Sequence, residues 1–388
     1  MRPHPVLALP SLAPAMLAPR RSSPSAAFPF GDARTEFFYL GRSAVFHAVR
    51  RLGLVGADVL VPAYHHGVEV EALVAAGARP VFHGIGRDLR TDLVSLEAAL
   101  TPATRGLYVI HYAGFAQPMP ELLAFARAHR LVVIEDCALS LLSASGGRPL
   151  GTSADASIFC LYKTLPVPHG GALWMAAPHA PAPVDPPDGA TVAWQLASAM
   201  TTWASRKTVV GGWLRSSATR LASRFRRRRS LPVDAHPVGG RRFLEGQQDR
   251  GAAPFVVELA RRIDAEQVVR RRRENLLGLA ARLAGVHAPL PLTLEANTCP
   301  LFYPLDTDRP EKLASALAAS GVETIPFWRE GSRLCDLRAF PVVADLRRRV
   351  LELPIHQDVT AHDLDRMADV VRLTLAKPRA PKAARRTG

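Results

Sequence analysis

Two ionisable residues in the first half of the chain stand where apolar runs end. Asp136 closes Leu131-Val132-Val133-Ile134-Glu135, and Lys163 follows Ser157-Ile158-Phe159-Cys160-Leu161-Tyr162. A carboxylate at the carboxyl end of a buried strand points into the ligand crevice of a layered sheet, and holding it there is costly without a partner. The plainer alternative for Asp136 is an N-cap of the following segment. A lysine in an apolar setting has its charged form disfavoured, which makes its amine a better nucleophile for a Schiff base. The plainer alternative for Lys163 is a side chain that lies along a strand end and reaches water. Composition weighs on that choice. Of 49 Lys and Arg, only five are lysines: Lys163, Lys207, Lys312, Lys377 and Lys382. Arginine would serve a merely solvated edge equally well and cannot act as a free amine. Gly170-Gly171 then suits a tight turn or a close approach of backbone to a ligand.

The elements that must position these residues follow a regular pattern from Gly41 onward. Ser43 to Leu52 predicts a helix with Val45, Val49 and Leu52 on one side. Short apolar, β-branched runs then alternate with helical stretches. Strands are expected at Asp58–Pro62, Pro80–Gly84, Gly106–His111, Leu131–Glu135, Ala156–Tyr162 and Ala172–Ala176, and helices at Val68–Ala76, Leu93–Leu100 and Met119–His129. Strands buried on both faces and separated by helices imply a largely parallel, layered α/β sheet. A long helix is expected at Phe255–Leu283, and Pro300–Leu375 reads as a smaller α/β domain.

The 388 residues suggest two or three domains with ample core. Four cysteines far apart, with no CxxC pair, point away from a zinc ribbon or disulfide framework and towards a reducing, cytoplasmic setting. Residues 1–30 carry seven prolines and no acid, and are expected to form a disordered extension; the basic tail from Lys377 is expected to be loose. Between Asp188 and Asp234 there is no acid but nine Lys and Arg. This basic insert, about 190–233, is either a solvated face or an amphipathic patch. In the second case Trp194, Trp203, Trp213 and Phe225 would meet an anionic membrane surface or an acidic partner, giving peripheral membrane association. No motif for specific nucleic-acid binding is present, and charge alone gives only non-specific phosphate affinity.

Asp136 and Lys163 together suggest a pyridoxal phosphate site, with the lysine on the aldehyde and the carboxylate on the ring nitrogen. At this point the sequence resembles the DegT/DnrJ/EryC1/StrS sugar aminotransferases, among the fold-type I pyridoxal phosphate enzymes. The resemblance runs over roughly 37–375. It is carried by Gly41-Arg42-Ser43-Ala44, Val61-Pro62-Ala63-Tyr64-His65-His66, Ala76-Gly77-Ala78-Arg79-Pro80-Val81-Phe82 and Thr101-Pro102-Ala103-Thr104-Arg105. His111-Tyr112-Ala113-Gly114, Ile134-Glu135-Asp136-Cys137-Ala138, Lys163 with Gly170-Gly171, and Leu353-Pro354-Ile355-His356 complete it.

The resemblance implies a three-layer, aspartate aminotransferase-like pyridoxal phosphate transferase fold. It divides the chain into a large cofactor-binding domain at 31–250 and a linking helix with a smaller C-terminal α/β domain at 251–376. It also implies a homodimer. Lys163 would be the catalytic lysine, Asp136 would meet the ring nitrogen, and His66 would stack on the ring. Arg42 and Ser43 at a helix N-terminus would hold the phosphate. Cys160 stands nearest to a phosphate-binding serine, and Gln248-Asp249-Arg250 stands for a segment whose cation, here Arg250, reaches a neighbouring subunit's site. Leu139 replaces a Gln or His usual near the cofactor hydroxyl. The implied reaction moves an amino group from a donor such as glutamate to a keto-sugar or related carbonyl compound. The alternative is an inactive member that kept the fold and docks a partner or membrane through the basic insert.

Overall fold

The computed structural model describes residues 4–18, 27–187, 189–207, 243, 246–287, 290 and 292–376. Its large sheet has seven strands in the order β1-β9-β8-β5-β4-β2-β3. These are β1 (Thr35–Phe38), β2 (Asp58–Pro62), β3 (Arg79–His83), β4 (Thr104–Ile110), β5 (Val132–Asp136), β8 (Ala156–Cys160) and β9 (Gly171–Met175). A two-stranded hairpin, β6 (Ala144–Ser145) with β7 (Arg148–Pro149), lies between β5 and β8. From β3 to β8 the neighbours are parallel, and β9 runs antiparallel to both β8 and β1. Each expected strand is present, Asp58–Pro62 with the expected bounds and the others with ends shifted by at most two residues.

Alternation along the strands sorts side chains between two helical layers. Leu60, Leu107, Val109 and Val133 pack with helices α3 (Leu93–Ala98) and α4 (Met119–His129). Val59, Val61, Tyr108, Ile110 and Ile134 belong instead to the core shared with α1 (Gly41–Arg51) and α2 (Val68–Ala75). Asp136 has the parity of Ile134, so it faces the second layer, together with Tyr108.

Downstream of the large sheet come α5 (Leu161–Thr164), α6 (Gly189–Lys207), α7 (Pro254–Arg261) and α8 (Ala265–Leu283). The single long helix expected at 255–283 is therefore two. Asp264 caps the second one, accepting from the amide of Gln267 at 2.9 Å. The smaller unit is a three-stranded antiparallel sheet, β10-β12-β11. Its strands are β10 (Phe302–Asp306), β11 (Ile325–Pro326) and β12 (Val350–Pro354), with helices α9 (Pro310–Ala319), α10 (Pro341–Arg349) and α11 (Ala361–Leu375) around them.

One expectation about the chain's N-terminal edge changes. The described part of residues 1–30 is not a disordered extension. Val6 bridges Val322, with Val6 N to Gly321 O at 2.9 Å and Glu323 N to Val6 O at 2.8 Å. Ser11 donates to Asp358 through its amide and its hydroxyl, and Val6 and Leu12 are buried. Prolines bar a helix here but leave an extended segment able to pair with an edge. The basic insert begins on α6, where Val192, Leu196, Ala199 and Met200 pack against the core. Gln195 donates to the Tyr39 hydroxyl at 2.6 Å. Trp194 is exposed there. Trp213, Phe225 and the insert's arginines from Arg215 to Arg229 lie outside the described residues, as does the tail from Lys377.

Candidate active site

Asp136 ends β5 and is buried. It accepts from Tyr108 Oη at 2.7 Å and from the amide of Ala138 at 2.8 Å. Burial, and next the nearby Glu69 carboxylate, push its pKa up; Tyr108, Ala138 and the Lys163 ammonium pull the other way. The preceding residue shows how alternation separates roles. Glu135 points to the opposite face and accepts from Gly151 N at 2.9 Å and Ser153 N at 3.1 Å, with His111 Nε2 at 2.9 Å. Burial raises the Glu135 carboxyl, yet His111 and these amides outweigh it and hold the carboxyl below its ordinary value.

Lys163 does not sit on the strand itself. β8 stops at Cys160, and Lys163 lies on the single turn α5, half-buried. The turn is fixed from both sides. Leu161 N donates to Gly170 O at 2.9 Å. Thr164 O accepts from Arg272 Nη2 at 2.9 Å and from Gln357 Nε2 at 3.3 Å. The Lys163 charge acts on Asp136, Cys160 and Glu352. Cys160 is a buried thiol whose pKa is raised by burial.

The first turn of α1 carries Arg42 and Ser43, both buried, behind an N-cap residue, Leu40, whose side chain caps nothing. Gly171 lets β9 approach this turn: a Cβ there would come within 2.4 Å of the Gly41 amide nitrogen and the Leu40 carbonyl carbon. Arg42 is close enough to Cys160 for its charge to lower that thiol's pKa. Ser43 Oγ donates to Gln247 O at 3.3 Å, and His47 Nε2 lies 3.2 Å from Gln248 O. Tyr39 N donates to Arg250 O at 2.8 Å. The backbone of Arg250 thus lies beside the N-terminus of α1 within its own chain, whereas the resemblance implied that the cation comes from a neighbour.

His66 leaves β2 on a loop that Glu69 pins, Oε1 accepting from the His66 amide at 2.7 Å. Its ring meets Trp328 of the smaller unit edge to face, with centroids 6.3 Å apart. Buried Arg347 ties the same loop to the smaller unit, donating to Ala63 O at 3.0 Å, His65 O at 2.9 Å and Trp328 O. Leu139 is part of the apolar core. His356, which ends the last of the segments that carry the resemblance, is buried with its Nε2 at 3.0 Å from Leu7 O, and accordingly holds the N-terminal segment.

The structure therefore gathers Asp136, Lys163, Cys160 and the Arg42-Ser43 turn around the carboxyl ends of β5 and β8, with the His66 loop following β2. Sequence reasoning missed Tyr108, Glu69, Arg272 and Glu352. Tyr108 had a usable signal, since a tyrosine inside an otherwise apolar strand needs a partner for its hydroxyl.

The DegT/DnrJ/EryC1/StrS aminotransferase family model matches residues 41–180. Over this segment, 140 of the 388 residues, the chain is similar to that family. UDP-N-acetyl-3-dehydro-alpha-D-glucosamine 3-aminotransferase of Acidithiobacillus ferrooxidans is 33% identical over 124 residues, which is 31% of this chain and 34% of that protein. dTDP-4-dehydro-2,3,6-trideoxy-D-glucose 4-aminotransferase of Saccharopolyspora spinosa is 33% identical over 146 residues, 37% and 38% of the two chains. The match thus spans little more than a third of the length of these curated relatives. Solved structures resemble a larger part. S. venezuelae DesV aligns over 92% of each chain with a TM-score of 0.64 and 21% identity. The sugar aminotransferase CalS13 of Micromonospora echinospora aligns over 96% of this chain and 100% of its own, with a TM-score of 0.63 and 18% identity. The fold is thus the fold-type I, aspartate aminotransferase-like arrangement that these structures share.

The donor set fits the family's cofactor. Asp136 is a buried carboxylate with one hydrogen bond on each oxygen, so lone pairs remain for a protonated ring nitrogen whose charge would offset the burial. Lys163 supplies an amine whose charge acts on that carboxylate. The α1 N-terminus, where the glycine-permitted approach of β9 brings backbone close, suits a phosphate dianion.

Proposed function

We propose that this chain is a pyridoxal phosphate-dependent aminotransferase. It moves an amino group from an amino acid, glutamate first among donors, to a keto-sugar or related carbonyl acceptor in polysaccharide or secondary-metabolite biosynthesis. The observation that carries this reading is the pairing of Asp136, at the end of β5, with Lys163, on the turn that follows the adjacent parallel strand β8, the lysine's charge acting on the buried carboxylate. The names of the family relatives, which act on dehydro-sugars, support the acceptor class.

When bound, the cofactor supplies an electron sink that makes the carbon next to an amino group acidic. The chain's own residues do the rest. Asp136, oriented by Tyr108 and the Ala138 amide, would keep a proton on the ring nitrogen. Arg42, Ser43, Cys160 and Arg250 would hold the phosphate, and His66 would stack on the ring. Lys163 Nζ would anchor the aldehyde and then move the proton as acid and base. The buried walls made by Tyr64, Tyr112 and Trp328 exclude water from the inner side of the His66 loop.

A homodimer, peripheral membrane contact or acidic partner through the insert, and a cytoplasmic setting belong to the same proposal. Among the described residues all four cysteines are free and buried, and no helix is long and apolar enough to cross a membrane. The reading is tested by incubating the cofactor-loaded protein with 15N-glutamate. Transfer of label to the cofactor and release of 2-oxoglutarate support it. Inertness across a panel of amino acid donors contradicts it and favours the inactive binding protein.

A further inference from the structure

Glu352 is an ionisable group for which the reaction outlined above has no use. It lies at the middle of β12, the central strand of the small sheet, opposite Pro304 on β10 and Ile325 on β11. Alternation assigns it to the same sheet face as Asp306 and Phe302, because Asp306 opposes Val350 and Phe302 opposes Pro354. That face looks towards the large domain. Asp306 forms an ion pair with Arg87 of the large domain, and Phe302 packs on Phe327, whose carbonyl accepts from Tyr64 Oη at 2.8 Å.

The end of β12 is also fastened to the turn that carries Lys163. Arg272 donates to Thr164 O and, at 2.8 Å, to Leu301 O just before β10, while Gln357 just beyond β12 donates to the same Thr164 O. Asn275 reinforces this, donating to Ile355 O and His356 O. The groups that face Glu352 are Lys163 from α5, which acts on its charge, and Tyr64 from the loop after β2. The Lys163 charge acts on Asp136 as well. Among the described residues no cation forms an ion pair with Glu352, and the residue is only half-buried. Burial pushes the carboxyl up to about 8 against the pull of Lys163, so it is a neutral hydrogen-bond donor near pH 7.

We propose that Glu352 is an acceptor-binding residue of this site, whose carboxyl donates a hydrogen bond to the carbonyl or hydroxyl oxygen of the incoming acceptor. This rests on the aminotransferase reading and adds to it a group that selects for a neutral oxygen rather than a carboxylate or phosphate at that point. A carboxyl that must stay protonated loses this role as pH rises through its pKa, while an amide in its place does not.

Two measurements test this. In the cofactor-free protein labelled with 13C-carboxyl glutamate, one signal absent from Glu352→Gln should titrate near pH 8. If that signal titrates near the ordinary value of about 4.3, the proposal is overturned whatever the protein catalyses. In the loaded enzyme the two half-reactions are followed separately with glutamate and with a panel of nucleotide-linked keto-sugars. Glu352→Gln should keep the acceptor step within about threefold and remove its decline above about pH 8. Glu352→Leu should lower kcat/KM of the acceptor step about 10- to 100-fold, the scale of one lost hydrogen bond, and leave the glutamate step nearly unchanged. Equal losses in both half-reactions, or an unaltered alkaline decline in Glu352→Gln, would overturn it. Absence of the glutamate half-reaction in the native protein would instead strike the aminotransferase reading, and the titration still decides the state of Glu352.

Discussion

Tyr108 Oη donates to Asp136 Oδ2 at 2.7 Å across two adjacent parallel strands, β4 and β5. The register makes this possible: Ile110 stands opposite Asp136, and Tyr108, two residues earlier, shares its face. The tyrosine therefore aims the carboxylate from below the crevice.

Removing that hydroxyl should weaken the site without unfolding it. Tyr108→Phe deletes a hydrogen bond to a charged group, which is worth about 1.5–3 kcal/mol. Pyridoxal phosphate affinity, followed by absorbance titration, is expected to fall about tenfold or more, while far-ultraviolet circular dichroism stays native. Unchanged affinity would show that Asp136 is held well enough by Ala138 alone.

Arg272 should matter to stability more than its charge suggests. It is fully buried, and its guanidinium donates to three backbone carbonyls and to Gln357, and among the described residues no acid forms an ion pair with it. Arg272→Met leaves those carbonyls unsatisfied and is expected to cost about 2–4 kcal/mol, read as a lower urea midpoint. Arg272→Lys should recover only part of this, because one ammonium cannot span the same fork.

Gly171 is a position where a single methyl group should be costly. The added carbon of Gly171→Ala would stand 2.4 Å from backbone atoms of Leu40 and Gly41, which cannot rotate away. The β9–α1 contact must then open, at a cost of about 1–3 kcal/mol or more. Since that contact shapes the α1 N-terminus, inorganic phosphate or pyridoxal phosphate binding should fall together with Tm. A native Tm with native phosphate affinity would contradict the packing described.

Acid should destabilise the protein partly through Glu135. Its folded pKa is depressed by His111 and two amides in spite of burial. The unfolded state therefore binds more protons, and the stabilisation is present above the unfolded value of about 4.3 and lost as pH falls through the folded pKa. Between about pH 5 and about pH 3, the urea midpoint of the native protein should fall more steeply than that of Glu135→Gln. Parallel slopes would remove Glu135 from the acid response.

Much of the site was legible because its residues sit at strand ends, where apolar runs stop at a charged residue. Asp136 and Lys163 were visible in that way, although the strand ends at Cys160 and a helical turn carries the lysine. What depended on long-range contact was not legible. Nothing near Val6 announces its partner Val322, more than 300 residues away in the chain. The break at Arg262–Asp264 was hidden by continuous helical periodicity, although Asp264-Ala265-Glu266-Gln267 is a helix-start pattern that could have exposed it. Glu352 looked like an ordinary polar residue within a strand, and only the docking of the small sheet on the Lys163 turn gives it meaning.

The most direct test of the central claim is the visible absorption spectrum of the protein with added pyridoxal phosphate, recorded beside Lys163→Ala. The account predicts a visible band from the lysine-bound cofactor that Lys163→Ala lacks and that bleaches when glutamate is added. Identical spectra for the two proteins would contradict it, leaving Lys163 without a role in holding the cofactor.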